Sequence, residues 1–221
     1  WGEGDPDRYT QFYGMPIFRY GPVLIGFVQD FRSTDGNLST EGHMDVQLVT
    51  SRDGRTWERT GDRTPVLGLG GKGDWDWGMV AIGNSFIEDG AELKAYYGGC
   101  NATHNGTTLD GSEETGAIGL ATWRRDRLSG LRAGPEGGEL RTNPQAIGPE
   151  FHVNADAAGG SLVAGLYVGG RPVPGMEVSD CVPLARDSLD HVIRWRGGAT
   201  PPGEDVEVVL RFSNAEVFSL W

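Results

Sequence analysis

The side chains best equipped for chemistry lie in one short stretch, "GGKGDWDWGMV", at 70–80. Two carboxylates, Asp74 and Asp76, alternate there with two indoles, Trp75 and Trp77, and Gly78 leads into an apolar run. Two long polar segments, 32–43 and 100–115, add Asp35, Glu41, His43, His104, Asp110, Glu113 and Glu114. Carboxylates and imidazoles bind hydroxyls through directed hydrogen bonds, and flat indoles cover the apolar C–H face of a sugar ring. Carboxylates of this kind also serve as general acids and bases at a glycosidic bond. Asp76, Trp75, Trp77, His43 and His104 are the candidate ligand-binding residues, and Asp74 reads as a turn residue. No residue is assigned a catalytic role. The acidic runs "GEGDPD" and "LDGSEE" lack EF-hand spacing, so neither metal nor cofactor is expected.

Those residues must be held by β-structure. In 221 residues there are 36 glycines and 12 prolines, placed in short clusters between apolar runs. That spacing predicts many short strands joined by turns. The formal net charge of −12 argues against nucleic acid and anionic membrane as partners, since both need a basic footprint. The apolar runs are too short to cross a bilayer. Cys100 and Cys181 are far apart and read as two free thiols, which leaves the compartment open. Sequons occur at Asn37, Asn101 and Asn105. A chain that opens on Trp1 rather than Met leaves room for upstream residues.

The first part of the chain reads as two passes over one template. "FYGMPIFRY", "PVLIGFVQDF" and "MDVQLVTSRDGRTWERT" are answered by "DWGMVAIGNSFI", "ELKAYYGG" and "GAIGLATWRRDRLSGLRAG". Tyr13-Gly14-Met15 is set against Trp77-Gly78-Met79. Each pass holds four strand-like runs over about 60–70 residues, as blades of a β-propeller do. Beyond about residue 138 the repeat gives way to "EFHVNAD", "SLVAGLYV", "HVIRWRG", "DVEVVLRF" and "AEVFSLW", the pattern of a β-sandwich. In "DVEVVLRF", Val206, Val208, Leu210 and Phe212 share one face. The expected architecture is therefore all-β: two four-stranded blades of a partial propeller over 1–137, a linker "AGPEGGELRTNP", and a C-terminal sandwich over 138–221. Strand alternation in a blade places "GDWDWG" and both long loops on one face, beside the innermost strand. It places "SRDGRTW" on the opposite rim, where Asp53 closes a turn.

"SRDGRTW" is similar to the aspartate-box hairpins of sialidases, which are structural. "DWGMVAIGNSF" (76–86), "GELRTNP" (138–144) and "LVTSRDGRTWER" together resemble the five-bladed-propeller glycosidases of the invertase and levanase type, glycoside hydrolase family 32, in their C-terminal part. The resemblance implies a last blade followed by a sandwich, with Asp76 holding sugar in the reacting subsite. It also implies a nucleophilic aspartate and a second aspartate in upstream blades, and an acid/base glutamate at the start of the penultimate blade. On the repeat alignment that last slot falls near "FYGMP", at Gly14, which offers no carboxylate.

Three readings follow. The chain is the C-terminal portion of a propeller glycosidase that hydrolyses O-glycosidic bonds, with an incomplete catalytic set. Alternatively it is a non-catalytic carbohydrate-binding or interaction module, or a scaffold with no ligand. The expected partners are a carbohydrate and either the missing N-terminal blades or a partner subunit, because two blades alone leave strand edges and apolar faces uncovered.

Overall fold

The computed structural model describes residues 10–34, 41–198 and 200–221. Asp35, the sequon at Asn37 and the run "GEGDPD" lie outside them. The chain is all-β, and no helix occurs among the described residues. It divides into two compact units, Trp1–Trp123 and Arg124–Trp221.

Unit 1 is built on β1 (Thr10–Gly14), β2 (Ile17–Tyr20), β3 (Val23–Ser33), β4 (Gly42–Ser51), β5 (Glu58–Arg59), β6 (Met79–Ile82), β7 (Ile87–Asp89), β8 (Glu92–Cys100) and β9 (Gly116–Arg124). They form one nine-stranded, open sheet. Its repeat is plain. β1 and β2 are one interrupted strand paired along β3, which pairs with β4, which pairs with β5. β6 and β7 are again one interrupted strand paired along β8, which pairs with β9. A single parallel bridge, Met44 to Met79, joins the two passes.

The passes align differently from the sequence expectation. Gly14 pairs with Gln29 inside its hairpin. Gly78 stands at the open end of the other hairpin, its N–H bonded to the carbonyl of Cys100. Thr10, paired with Arg32, holds that place in the first pass. The tripeptides Tyr13-Gly14-Met15 and Trp77-Gly78-Met79 look alike but occupy different rungs. The position answering Asp76 therefore precedes Thr10, outside the described residues, and Gly14 does not stand in it.

Unit 2 comprises β10 (Leu131–Ala133), β11 (Gly138–Arg141), β12 (His152–Asp156), β13 (Ser161–Val168), β14 (Arg171–Pro172), β15 (Asp187–Val192), β16 (Val206–Ser213) and β17 (Ala215–Leu220). Two four-stranded sheets, β10-β17-β12-β15 and β11-β16-β13-β14, contribute to one apolar core. Phe151, Val153, Leu162, Leu166, Val206, Val208 and Leu210 are buried in it. The expected shared face of "DVEVVLRF" is that core face.

The second pass has three strands rather than four. Its expected fourth, Leu131–Ala133, pairs with β17 instead. The expected linker supplies β11, paired with β16. The cause lies just after β9. Arg127 donates to Asn154 Oδ1 at 2.9 Å and to the Ser188 carbonyl at 3.2 Å, and it pairs with Asp187 at 2.5 Å. Asn154 Nδ2 in turn donates to the Arg125 carbonyl at 2.9 Å. Charge-assisted bonds of this kind fix the chain beyond Trp123 within unit 2.

Candidate functional site

The loop before β6 is a closed turn that offers its indole outward. Asp74 Oδ2 accepts the Gly71 N–H at 2.7 Å, the Asp74 N–H reaches the Gly71 carbonyl at 2.8 Å, and the Trp77 N–H reaches the Asp74 carbonyl at 3.2 Å. Asp74 is thus a turn residue, as its small, locally bonding side chain suggests. Glycine at 73 supplies a φ of 96° that a side chain would oppose.

Asp76 is 9% exposed. Its Oδ2 accepts the Tyr97 hydroxyl at 2.8 Å. Burial raises the Tyr97 pKa to about 12, and the bond to the Asp76 carboxylate raises it too. Tyr97 therefore stays a neutral donor throughout the physiological range. Trp75 stacks on the Tyr97 ring, centroids 5.7 Å apart and planes 26° apart, while staying 38% exposed. Two glycines admit this packing. A Cβ at Gly99 would lie 2.6 Å from the Asp76 Cβ and 2.9 Å from the Trp75 ring, and one at Gly70 would collide with the Asp76 carboxylate.

His43, at the start of β4, sits beside the same loop. Its Nδ1 lies 2.9 Å from the Gly78 carbonyl, and Trp77 meets its ring edge-on at 5.1 Å. A carbonyl only accepts, so Nδ1 carries the proton and the neutral ring keeps its lone pair on Nε2. His104 has a different setting. It packs against Tyr13 at 4.9 Å and Phe31 at 5.2 Å, and its backbone N–H bonds the Gly42 carbonyl at 2.9 Å. The structure thus brings Asp76, Trp75 and Tyr97 into one cluster and His43 with Trp77 into a neighbouring one, both about Gly78. It sets His104 in an aromatic nest. Nothing in the sequence singles out Tyr97, because "AYYGG" reads simply as a strand.

The loop carboxylates are engaged locally. Glu41 Oε2 accepts the Thr107 hydroxyl at 3.0 Å. Asp110 accepts the Ser112 N–H at 3.0 Å, and its bonds to Ser112 hold its pKa below the usual value. Asn101 is bound on both ends of its amide, to the Glu113 carbonyl and the Thr115 N–H. Asp53 caps its hairpin through the N–H groups of Thr56 at 2.7 Å and Arg55 at 2.8 Å, which lower its pKa to about 2. Both cysteines are free, and Cys181 is buried, which pushes its thiol pKa up. Among the described residues no group of His, Cys, Asp and Glu is placed to hold a metal ion.

A second polar constellation lies on the β3–β4 ladder. Asp30 and Asp45 are direct cross-strand partners and both are buried. Arg32 pairs with Asp30 at 3.2 Å and closely with Asp45. Gln47 Nε2 donates to Asp30 Oδ2 at 2.7 Å, and Arg59 binds Gln47 and lies 3.7 Å from Asp30. Burial raises the Asp45 pKa, and Arg32 opposes that rise. Only the hairpin register reveals this set, since each member sits inside a run that reads as a strand.

No family model matches the chain, and no curated protein matches it. Two solved structures, a BT0996 complex with RGII and a glycoside hydrolase, are similar over 53% of this chain and 34% of theirs, each at 16% identity and a TM-score of 0.40. The chain thus spans about a third of the length of these neighbours. A likeness of that extent leaves function to be argued from the site.

Proposed function

We propose that unit 1 binds carbohydrate at the cluster around Gly78. One observation carries this reading: an outward-facing indole, Trp75, is stacked on a tyrosine whose hydroxyl is locked to a buried carboxylate, Asp76. The stack fixes the indole plane, so a sugar ring meets a platform already ordered. His43 adds an Nε2 acceptor beside it, and Trp77 limits the tilt of that imidazole.

The site belongs, in this proposal, to the C-terminal portion of a propeller glycosidase acting on O-glycosidic bonds. The two passes are its terminal blades and unit 2 its sandwich. The support is the sequence resemblance to family 32 together with the repeated three-strand meander of unit 1. A non-catalytic carbohydrate-binding module is the second reading. It is favoured by the state of the two carboxylates in the loop, one engaged by the Gly71 N–H and the other by the Tyr97 hydroxyl. Hydrolysis would need a second, unengaged carboxylate across the bond.

Titration of the full chain with a panel of neutral oligosaccharides tests the proposal. Saturable binding is expected, and Asp76→Asn should weaken it by about 1–3 kcal/mol with folding nearly intact. Hydrolysis of a bound glycoside would favour the enzyme, and binding without turnover the module. Absence of binding across the panel contradicts both.

A further inference from the structure

The repeat in unit 1 exposes a face that its own counterpart covers. Phe27, fifth residue of β3, is buried, with the Trp123 ring stacked on it at 6.1 Å and Phe86 at 5.7 Å. Val46 and Leu48 of β4 lie on the same face, since Phe27 pairs with Leu48 and Gln29 with Val46. They are buried as well. A sheet of the second pass thus covers a sheet of the first.

Tyr96 is the fifth residue of β8, the place that Phe27 holds in β3. A Cβ at Gly119 would run into the Tyr97 ring, so Gly119 faces with Tyr97, and by alternation Ile118 and Leu120 face with Tyr96. Ile87 joins them through its pairing with Lys94, two residues from Tyr96. Here the apolar side chains are open to solvent: Ile118 is 79% exposed, Tyr96 50%, Leu120 48% and Ile87 42%. A contiguous apolar sheet face of this kind marks an interaction surface rather than an ordinary scatter of surface residues.

We propose that this face of β7, β8 and β9 is the interface of a twofold dimer, occupied by the same face of a second copy of this chain. The cover that the equivalent face already receives is a sheet of this same repeat, so the sequence is suited to packing on itself. The face is also self-complementary in charge at one end. Lys94 is flanked by Asp89 at 2.5 Å and Glu92 at 3.1 Å, so both signs stand at the rim of the apolar patch. A twofold pairing buries the patch on both partners and leaves no open end to propagate. The first pass cannot serve as the partner surface, because the face of its ladder opposite Phe27 carries Asp30, Arg32, Asp45 and Gln47.

Sedimentation velocity of the full chain, up to about 100 μM, reads this directly, since an interface of ordinary size is then well populated. A dimer is expected. Ile118→Lys should weaken it by about tenfold or more while the near-ultraviolet spectrum and melting curve of the folded chain persist. Leu120→Lys serves as the second variant on the same face. A wild-type chain that stays monomeric overturns the proposal, and so does a dimer untouched by both variants. An open series of larger species would contradict the twofold closure.

Discussion

The two units of this chain bury very different things. The buried side chains of unit 2 are almost wholly apolar, and Asn154, which ties Arg125 and Arg127 in place, is the buried polar exception among the described residues. Unit 1 buries Asp30, Asp45, Gln47, Asp76, Ser51, Thr10 and Thr103. Burying such groups costs free energy unless each finds a partner. Unit 1 uses hydrogen bonds to pair them, whereas unit 2 coheres through apolar area. Specificity and chemistry are thus concentrated in unit 1, while unit 2 is held chiefly by its core.

The largest expected effect breaks that core. Leu210→Ala, at a fully buried site on β16, should destabilise unit 2 by about 3 kcal/mol in a denaturant melt. The binding proposed for unit 1 should persist at temperatures where the chain remains folded. Next comes the β3–β4 network. Arg32→Ala leaves Asp30 and Asp45 facing each other with less compensation. The partial exposure of Arg32 limits the loss to about 2 kcal/mol. No comparable ion-pair deletion exists within the core of unit 2 among the described residues.

Tyr97→Phe removes the donor to buried Asp76 and should cost about 1–2 kcal/mol. It should weaken glycan binding as well, which separates it from Leu210→Ala.

The smallest effects are in pH dependence, and their signs oppose. The Asp45 pKa is raised above 3.8, chiefly by burial. Its contribution is fully present below that ordinary value and is lost as pH rises through the raised one. The Asp53 pKa is lowered from 3.8 to about 2 by backbone N–H groups. Its contribution is present above the ordinary value and lost as pH falls through about 2. Melting temperatures of Asp45→Asn and Asp53→Asn, each subtracted from wild type across acid pH, should therefore slope in opposite directions. Parallel slopes would remove the contrast.

Sequence carries the class of the fold but not its seams. Glycine and proline clusters between alternating apolar runs lead to an all-β chain, and the repeat of unit 1 is real. The rungs are misassigned from sequence because Tyr13-Gly14-Met15 and Trp77-Gly78-Met79 match by residue type, whereas pairing along β3 and β8 decides position. Leu131–Ala133 looks like the end of a blade, because the pull of Arg127 on Asn154 and Asp187 is a long-range contact with no local signal. Asp74 and Asp53 are legible as turn residues because their bonds are local. Tyr97 and the Asp30–Asp45 pair are not, since each depends on a neighbour strand. His104 reads as a ligand residue from its polar loop, but its ring faces Tyr13 and Phe31.

The central claim is that Trp75 is a sugar platform held by Tyr97 and Asp76. Calorimetric titration of wild type and Trp75→Ala with the same oligosaccharide, with melting curves alongside, tests it most directly. The account predicts at least about a tenfold loss of affinity in Trp75→Ala, equivalent to the roughly 1.4 kcal/mol of one aromatic contact, and a nearly unchanged melting temperature. Equal affinity in the two proteins would contradict it and leave 70–78 as no more than a well-closed turn.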